Sequence, residues 1–253
     1  MRVDWSPLRR ELALWRGQGL TLPLWWRDDD AVARTPSLDQ LARMARKCDL
    51  PVHLAVIPAR LEPSLIDYIS VGSPFLPVVH GWAHHNTAPA GLKKAEFGHE
   101  REGAAQELAQ ALMTLHTAFA TTLVRAFVAP WNRLHASYMP TLAALGYEVV
   151  STFSPRNAPY AAPGLRIVNT HIDPIDWRGT RGLRDPEQII AATLRHLVDR
   201  REGRIDNDEP FGYLTHHLVH TPDIWTFSEA FVGELLAGGA QPSPLITPPE
   251  EKI

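Results

Sequence analysis

The chain has 253 residues, 45% of them apolar and 21% charged, with a formal charge of −3. That much apolar sequence can bury the core of one large domain, and the slightly negative balance argues against nucleic acid as a partner. Cys48 is the only cysteine, which excludes an internal disulfide and a cysteine-rich metal site, and no run reaches the roughly 18 apolar residues of a membrane span.

The opening residues lack the charged, apolar and small-residue succession of a secretory signal, so a cytoplasmic protein without membrane insertion is expected. Ser6-Pro7 suits a capped helix start, with Leu8, Leu12 and Trp15 on one face and Gly17 as the stop. Short apolar runs at 22–26, 52–57, 75–79, 126–129, 148–151, 165–169 and 211–215 read as buried strands. Helical stripes separate most of them. Leu38, Leu41, Ala45 and Cys48 form one after Thr35-Pro36, and Leu108, Leu112, Leu115 and Phe119 form a longer one. Tyr138, Leu142 and Leu145 form a third, ended by Gly146, and Asp185-Pro186 caps a fourth that carries Ile190, Leu194, Leu197 and Val198. Thr226 and Glu229 have capping-box spacing ahead of Phe231, Leu235 and Leu236. Residues 241–253, rich in proline and polar at the end, are expected to form a surface tail. Strands alternating with helices imply a parallel α/β arrangement, and the lack of a composition shift or repeat implies one domain over 1–253.

The polar clusters fall just after the strands. Asp28-Asp29-Asp30 ends the first, His80-Gly81-Trp82-Ala83-His84 follows the third, and Pro130-Trp131-Asn132-Arg133 follows the fourth. Asp173-Pro174-Ile175-Asp176-Trp177 follows the sixth, and His216-His217 closes the seventh. In barrels and open parallel sheets, loops at the carboxyl ends of strands build the active site, so the clusters should meet on one face. A run of aspartates is most often a solvated turn. Behind Trp25 and Trp26, however, burying that charge requires a cation or Arg27. His80 and His84 would share a side on a helical turn, within reach of one metal ion. One of His216 and His217 should face the pocket and the other pack away. Trp82, Trp131 and Trp177 are candidates for a substrate groove, although tryptophans at core edges are as common.

In order, the five segments resemble the motifs of the polysaccharide deacetylase family: Asp29-Asp30, His80 to His84, Ala129-Pro130-Trp131, Asp173 to Trp177, and Leu214-Thr215-His216. The resemblance spans residues 25–217 and implies an irregular (β/α) barrel of about seven parallel strands. It implies that Asp30, His80 and His84 bind one divalent ion, zinc foremost, with cobalt, nickel or iron also suited to the donors. It further implies Asp29 as the catalytic base, His216 as the acid, and Asp173 or Asp176 as the residue that holds a catalytic partner. Trp82, Trp131, Arg133, Trp177 and His217 are the candidate substrate contacts. The chain departs from the pattern where Ala31 replaces the usual glycine and Val128 the usual arginine. Arg133 or Arg27 could supply that charge, Asp28 offers an alternative register for the acid pair, and His217 competes with His216.

The expected activity is hydrolytic removal of an acyl group, acetyl first, from an N-acylated sugar by metal-activated water. Two alternatives stand beside it: a C–N hydrolase of a non-sugar amide, ureide or imide on the same fold, and a carbohydrate-binding pseudo-deacetylase without chemistry.

Overall fold

All seven apolar runs form strands, and six of them are almost wholly buried, as strands covered on both faces must be. The computed structural model describes residues 3–69 and 72–245. In chain order the elements are α1 (Ser6–Gly17), β1 (Leu22–Ala31), α2 (Pro36–Cys48), β2 (Val52–Val56), α3 (Pro63–Tyr68), β3 (Phe75–His80), α4 (Ala104–Phe119) and β4 (Ala126–Val128). There follow α5 (Met139–Ala144), β5 (Val149–Ser151), β6 (Tyr160–Ala162), β7 (Leu165–Ile167), α6 (Pro186–Arg201), β8 (Phe211–Thr215), α7 (Pro222–Ala237) and β9 (Ala240–Pro242).

The sheet runs β6-β7-β5-β4-β3-β2-β1-β8, parallel throughout except for the β6–β7 pair. Regular pairing does not join its edges, but single bridges do. Thr170 pairs with Phe153 beyond β5, and Ile172 pairs with Tyr213 of β8. Residues 168–172 therefore bring the far edge round to β8, which makes the barrel irregular. Sixteen-residue helices α4, α6 and α7 and the shorter α1 and α2 turn apolar faces to this sheet. On α4 the buried stripe is Leu108, Ala111, Leu115 and Phe119; on α6 it is Ile189, Ile190, Thr193 and Leu197. The expected positions Leu112, Leu194 and Val198 are only half-buried.

Three expectations need correction. Ser6 is the first residue of α1 and does not cap it; the Asp4 carboxylate accepts its N–H instead. Thr226 and Glu229 do not open a helix, because α7 starts one turn earlier at Thr221-Pro222, where proline lacks an N–H the first turn could not satisfy. Thr226 lies inside the helix and donates its hydroxyl to the Pro222 carbonyl. The tail does not begin at 241. β9 pairs with residues Leu22 to Leu24 of β1, Leu245 is buried, and its N–H donates to Nε2 of the buried His53 at 2.9 Å. Residues 246–253 lie outside the described residues. Apolar periodicity could not find β6 or β9, each a three-residue edge strand with exposed side chains.

Candidate metal centre and active site

In a regular strand, Asp28 and Asp30 would share a face and Asp29 would take the other. β1 breaks that alternation. Its register with β2 slips between Asp28 and Ala31, and Asp30 adopts φ +75°. The slip parts the three carboxylates. Asp28 is fully buried and accepts from the Thr215 hydroxyl, the His217 N–H and the His217 ring. Asp29 and Asp30 both line a cleft of about 1190 Å³ at the carboxyl ends of the strands.

His80 ends β3, and the chain then turns sharply. Gly81 has φ +59°, and a Cβ there would come within 2.2 Å of Glu96 Oε2 and 2.4 Å of Pro130 Cγ. His84 also has φ +57°, so a tight turn rather than a helical turn brings the two rings together, with centroids 5.1 Å apart. The buried Glu96 holds this turn by accepting the N–H groups of Trp82 at 3.1 Å and Ala83 at 2.8 Å.

The ligand atoms of the three residues converge. The His80 Nδ1–H donates to the Val128 carbonyl at 3.2 Å, which turns the Nε2 lone pair toward Asp30 Oδ1, also 3.2 Å away. His84 Nε2 reaches the same oxygen at 3.3 Å. One ligand atom from each residue falls within 4.8 Å of the others, the only such group among the described residues. Three acceptors facing one point require a cation or a proton between them, and a carboxylate with two imidazoles open to a cleft suits a divalent ion. Burial would push the Asp30 carboxyl up, but His80 foremost, then His216 and His84, hold it well below the usual carboxylate range. Burial and the neighbouring His80 depress His84.

Asp29 sits on Arg27, which is wholly buried. Arg27 Nε lies 2.9 Å from Asp29 Oδ1, and its Nη2 donates to Oδ2 at 3.0 Å. The same guanidinium donates to the Ser151 hydroxyl at 2.7 Å and to Asn132 Oδ1 at 2.7 Å. Val128 is buried in β4. The guanidinium beside Asp29 thus stands on β1. Arg133 does not supply it, because its guanidinium donates to the Lys94 carbonyl.

Across the cleft, His216 Nε2 lies 4.0 Å from Asp29 Oδ2, and its Nδ1 lies 3.8 Å from Asp173 Oδ2. Trp177 donates its indole N–H to Asp173 at 2.8 Å and sets its ring edge-on to His216, 4.7 Å between centroids. Burial raises the Asp173 carboxyl against the opposing pull of His216. Asp176 shapes the loop, accepting the N–H groups of Gly179 and Thr180 at 3.1 Å each. Trp131, in the left-handed region at φ +55°, brings its ring within 4.1 Å of His84.

Asp29, Asp30, His80, His84, Asp173 and His216 therefore share one cleft, with Asp176, Trp131, Arg133 and Trp177 around them. Two expected substrate contacts are elsewhere. His217 is buried on Asp28, since adjacent strand-end residues point opposite ways, and Trp82 packs on the core. Sequence reasoning missed Glu96, a lone acid in a long segment without regular structure, and it missed the Asp28–His217 pair.

The fold matches known structures. A family 4 carbohydrate esterase from Streptomyces lividans, in complex with acetate, is 14% identical, with 88% of this chain and 92% of that one covered and a TM-score of 0.54. A family 4 acetyl xylan esterase from Clostridium thermocellum, in complex with a cobalt ion, is 15% identical over 87% and 86%, at 0.51. A pseudoenzyme of the same family from Bacillus anthracis is 13% identical over 87% of this chain and 63% of that one, at 0.52. The chain has the fold of the polysaccharide deacetylases. No family model and no curated protein matches the sequence, and no described helix is long and apolar enough to cross a membrane.

Proposed function

We propose that this protein is a metal-dependent amide hydrolase that removes an acyl group, acetyl foremost, from an N-acylated sugar. The convergence of one ligand atom each from Asp30, His80 and His84 on one point of the cleft carries the reading. Zinc is the first choice of ion, and cobalt, nickel and iron suit the same donors.

Asp30, His80 and His84 would hold the divalent ion, which would supply Lewis acidity for the attack of water on the amide. Asp29 takes a proton from that water as its oxygen attacks the acyl carbon. Arg27 fixes the Asp29 carboxylate by two contacts, one to each oxygen. A backbone N–H near Trp131 holds the developing oxyanion. His216, steadied by Asp173 and Trp177, gives its proton to the nitrogen as the C–N bond breaks. The products are a carboxylic acid and a free amine.

The fold neighbours include a pseudoenzyme, and Val128 is the departure that favours that second reading. Arg27 on Asp29 weighs against it. Metal analysis of the purified protein, joined to acetate release from a panel of N-acetyl sugars with and without chelator, decides the matter. Bound metal with chelator-sensitive release is expected. Binding of N-acetylated sugar without release would make the protein a pseudoenzyme, and hydrolysis confined to small cyclic amides would move it to the non-sugar amidohydrolases.

A further inference from the structure

The outer wall of the cleft is made by residues 173–185, and its charge does not follow from the chemistry below it. Arg178, Arg181 and Arg184 all line the cleft. Among the described residues none of the three lies within ion-pair distance of a carboxylate, although Asp176 and Asp185 line the same space. Those two acids are engaged elsewhere. Asp176 accepts two N–H groups of its own loop, and Asp185 accepts the Glu187 N–H at the start of α6.

The arginines stand on a folded support. Asp176 N–H donates to the Gly182 carbonyl, Arg181 N–H to the Asp176 carbonyl, and Arg184 N–H to the Pro174 carbonyl, while Ile175 and Leu183 form an antiparallel bridge. A Cβ on Gly179 would come within 2.2 Å of Asp176 Oδ2, so the tip is built close around that carboxylate. Arg181 is held at φ +59°, an uncommon conformation for a residue with a side chain, and its guanidinium lies 5.6 Å from the centre of the Trp177 ring. Trp177 lines the cleft and is 41% exposed, so part of its ring is open to a ligand there. A guanidinium over an aromatic face keeps its N–H edges free, and those edges match the oxygens of a phosphate or carboxylate.

Resting on the hydrolase reading above, we propose that the N-acyl substrate carries an oxyanion, a phosphate ester or a carboxylate, and that Arg178, Arg181 and Arg184 bind it while Trp177 covers the sugar between oxyanion and amide. The loop thus selects anionic N-acyl sugars over neutral ones.

The test compares three substrates: a neutral N-acetylhexosamine, the same sugar as a phosphate ester, and the same sugar bearing a carboxylate. The wild-type protein is set against a triple variant, Arg178→Gln, Arg181→Gln and Arg184→Gln, whose melting temperature verifies folding. At low salt, kcat/KM for at least one anionic substrate should exceed that for the neutral sugar by about tenfold or more, the factor one charge-assisted contact supplies. The ratio should fall toward one in the triple variant, mainly through KM, and as salt rises. Whichever anion gains more identifies the oxyanion. Calorimetric titration with a sugar phosphate lacking any acyl group, in the presence of chelator, gives a readout independent of turnover; binding should be seen in wild type and lost in the variant. Equal turnover of neutral and anionic sugars, unchanged in the variant, would overturn the oxyanion site and leave the hydrolase reading standing. Arginine-dependent sugar phosphate binding without hydrolysis of any N-acyl compound would do the reverse.

Discussion

Two clusters of histidine and carboxylate in this molecule use the same residue types to opposite ends. At the cleft, one ligand atom each of His80, His84 and Asp30 converges on a single point. Beneath α6, His171, Glu209 and Arg200 are sealed in the interior. There His171 Nδ1 accepts the Gly212 N–H at 2.8 Å, and its Nε2 meets Glu209 Oε2 at 3.2 Å. Glu209 also accepts the Asn169 and Arg156 N–H groups, and Arg200 donates to its carbonyl. The Glu209 carboxylate and the His171 ring are each held by backbone N–H groups as well as by each other, and the network ties the segment after β7, α6 and the start of β8 together. The contrast teaches that composition does not separate a metal site from a buried polar anchor; opening on a cleft, against being held from all sides by backbone groups, does.

The sharpest way to break the comparison is to delete one histidine from the cleft. His80→Ala should lose the metal and lower acetate release by about 10³-fold or more, while metal analysis and circular dichroism show a folded, metal-free protein. Next comes Asp29→Asn, which should retain the metal and lose about 10²–10⁴ in kcat. Full activity in that variant would remove the base assignment. In the sealed cluster the loss should be of stability instead. Glu209→Ala removes the carboxylate that meets His171 and accepts the Asn169 and Arg156 N–H groups, and should cost about 3–5 kcal/mol in denaturant unfolding, with metal content of the folded fraction unchanged. If this variant lost metal at full stability, the two clusters would not be separate.

The smallest effect concerns His53, which belongs to the sealed type. Its Nδ1–H donates to the Trp26 carbonyl at 3.0 Å and its Nε2 accepts the Leu245 N–H, so the ring serves as a neutral clip on the end of the described chain. Burial lowers it from 6.5 to about 4. The folded value lies below the unfolded one, so the unfolded chain takes the proton first. Stability from this group is complete above about 6.5 and is lost as pH falls toward about 4, to a total of roughly 3 kcal/mol. His53→Gln should flatten the pH dependence of the unfolding free energy across that window, and an unchanged slope would take His53 out of the account.

Much of this could be read from residue order because it is local. Apolar runs of strand length and the stripes on α2 and α5 are short-range patterns, and the position of polar clusters after strands carries over directly to the cleft. His216 and His217 show both the reach and the limit: alternation says that they diverge, but only the neighbouring Asp28 decides that His217 is the one turned inward. Arg27 was legible beside the aspartates as one of two candidate cations, but Glu96 had no local signal, since it holds a turn that lies 11 to 14 residues before it.

The sequence by itself therefore determined the alternating parallel architecture and the list of groups able to hold a metal, because both depend on spacing along the chain. Only the tertiary structure decided which of three consecutive aspartates meets His80 and His84, through a one-residue slip in β1. It also decided that the guanidinium beside Asp29 comes from residue 27. Side-chain direction at a bulge and pairing across a barrel depend on contacts between distant strands, and no window of the sequence contains them.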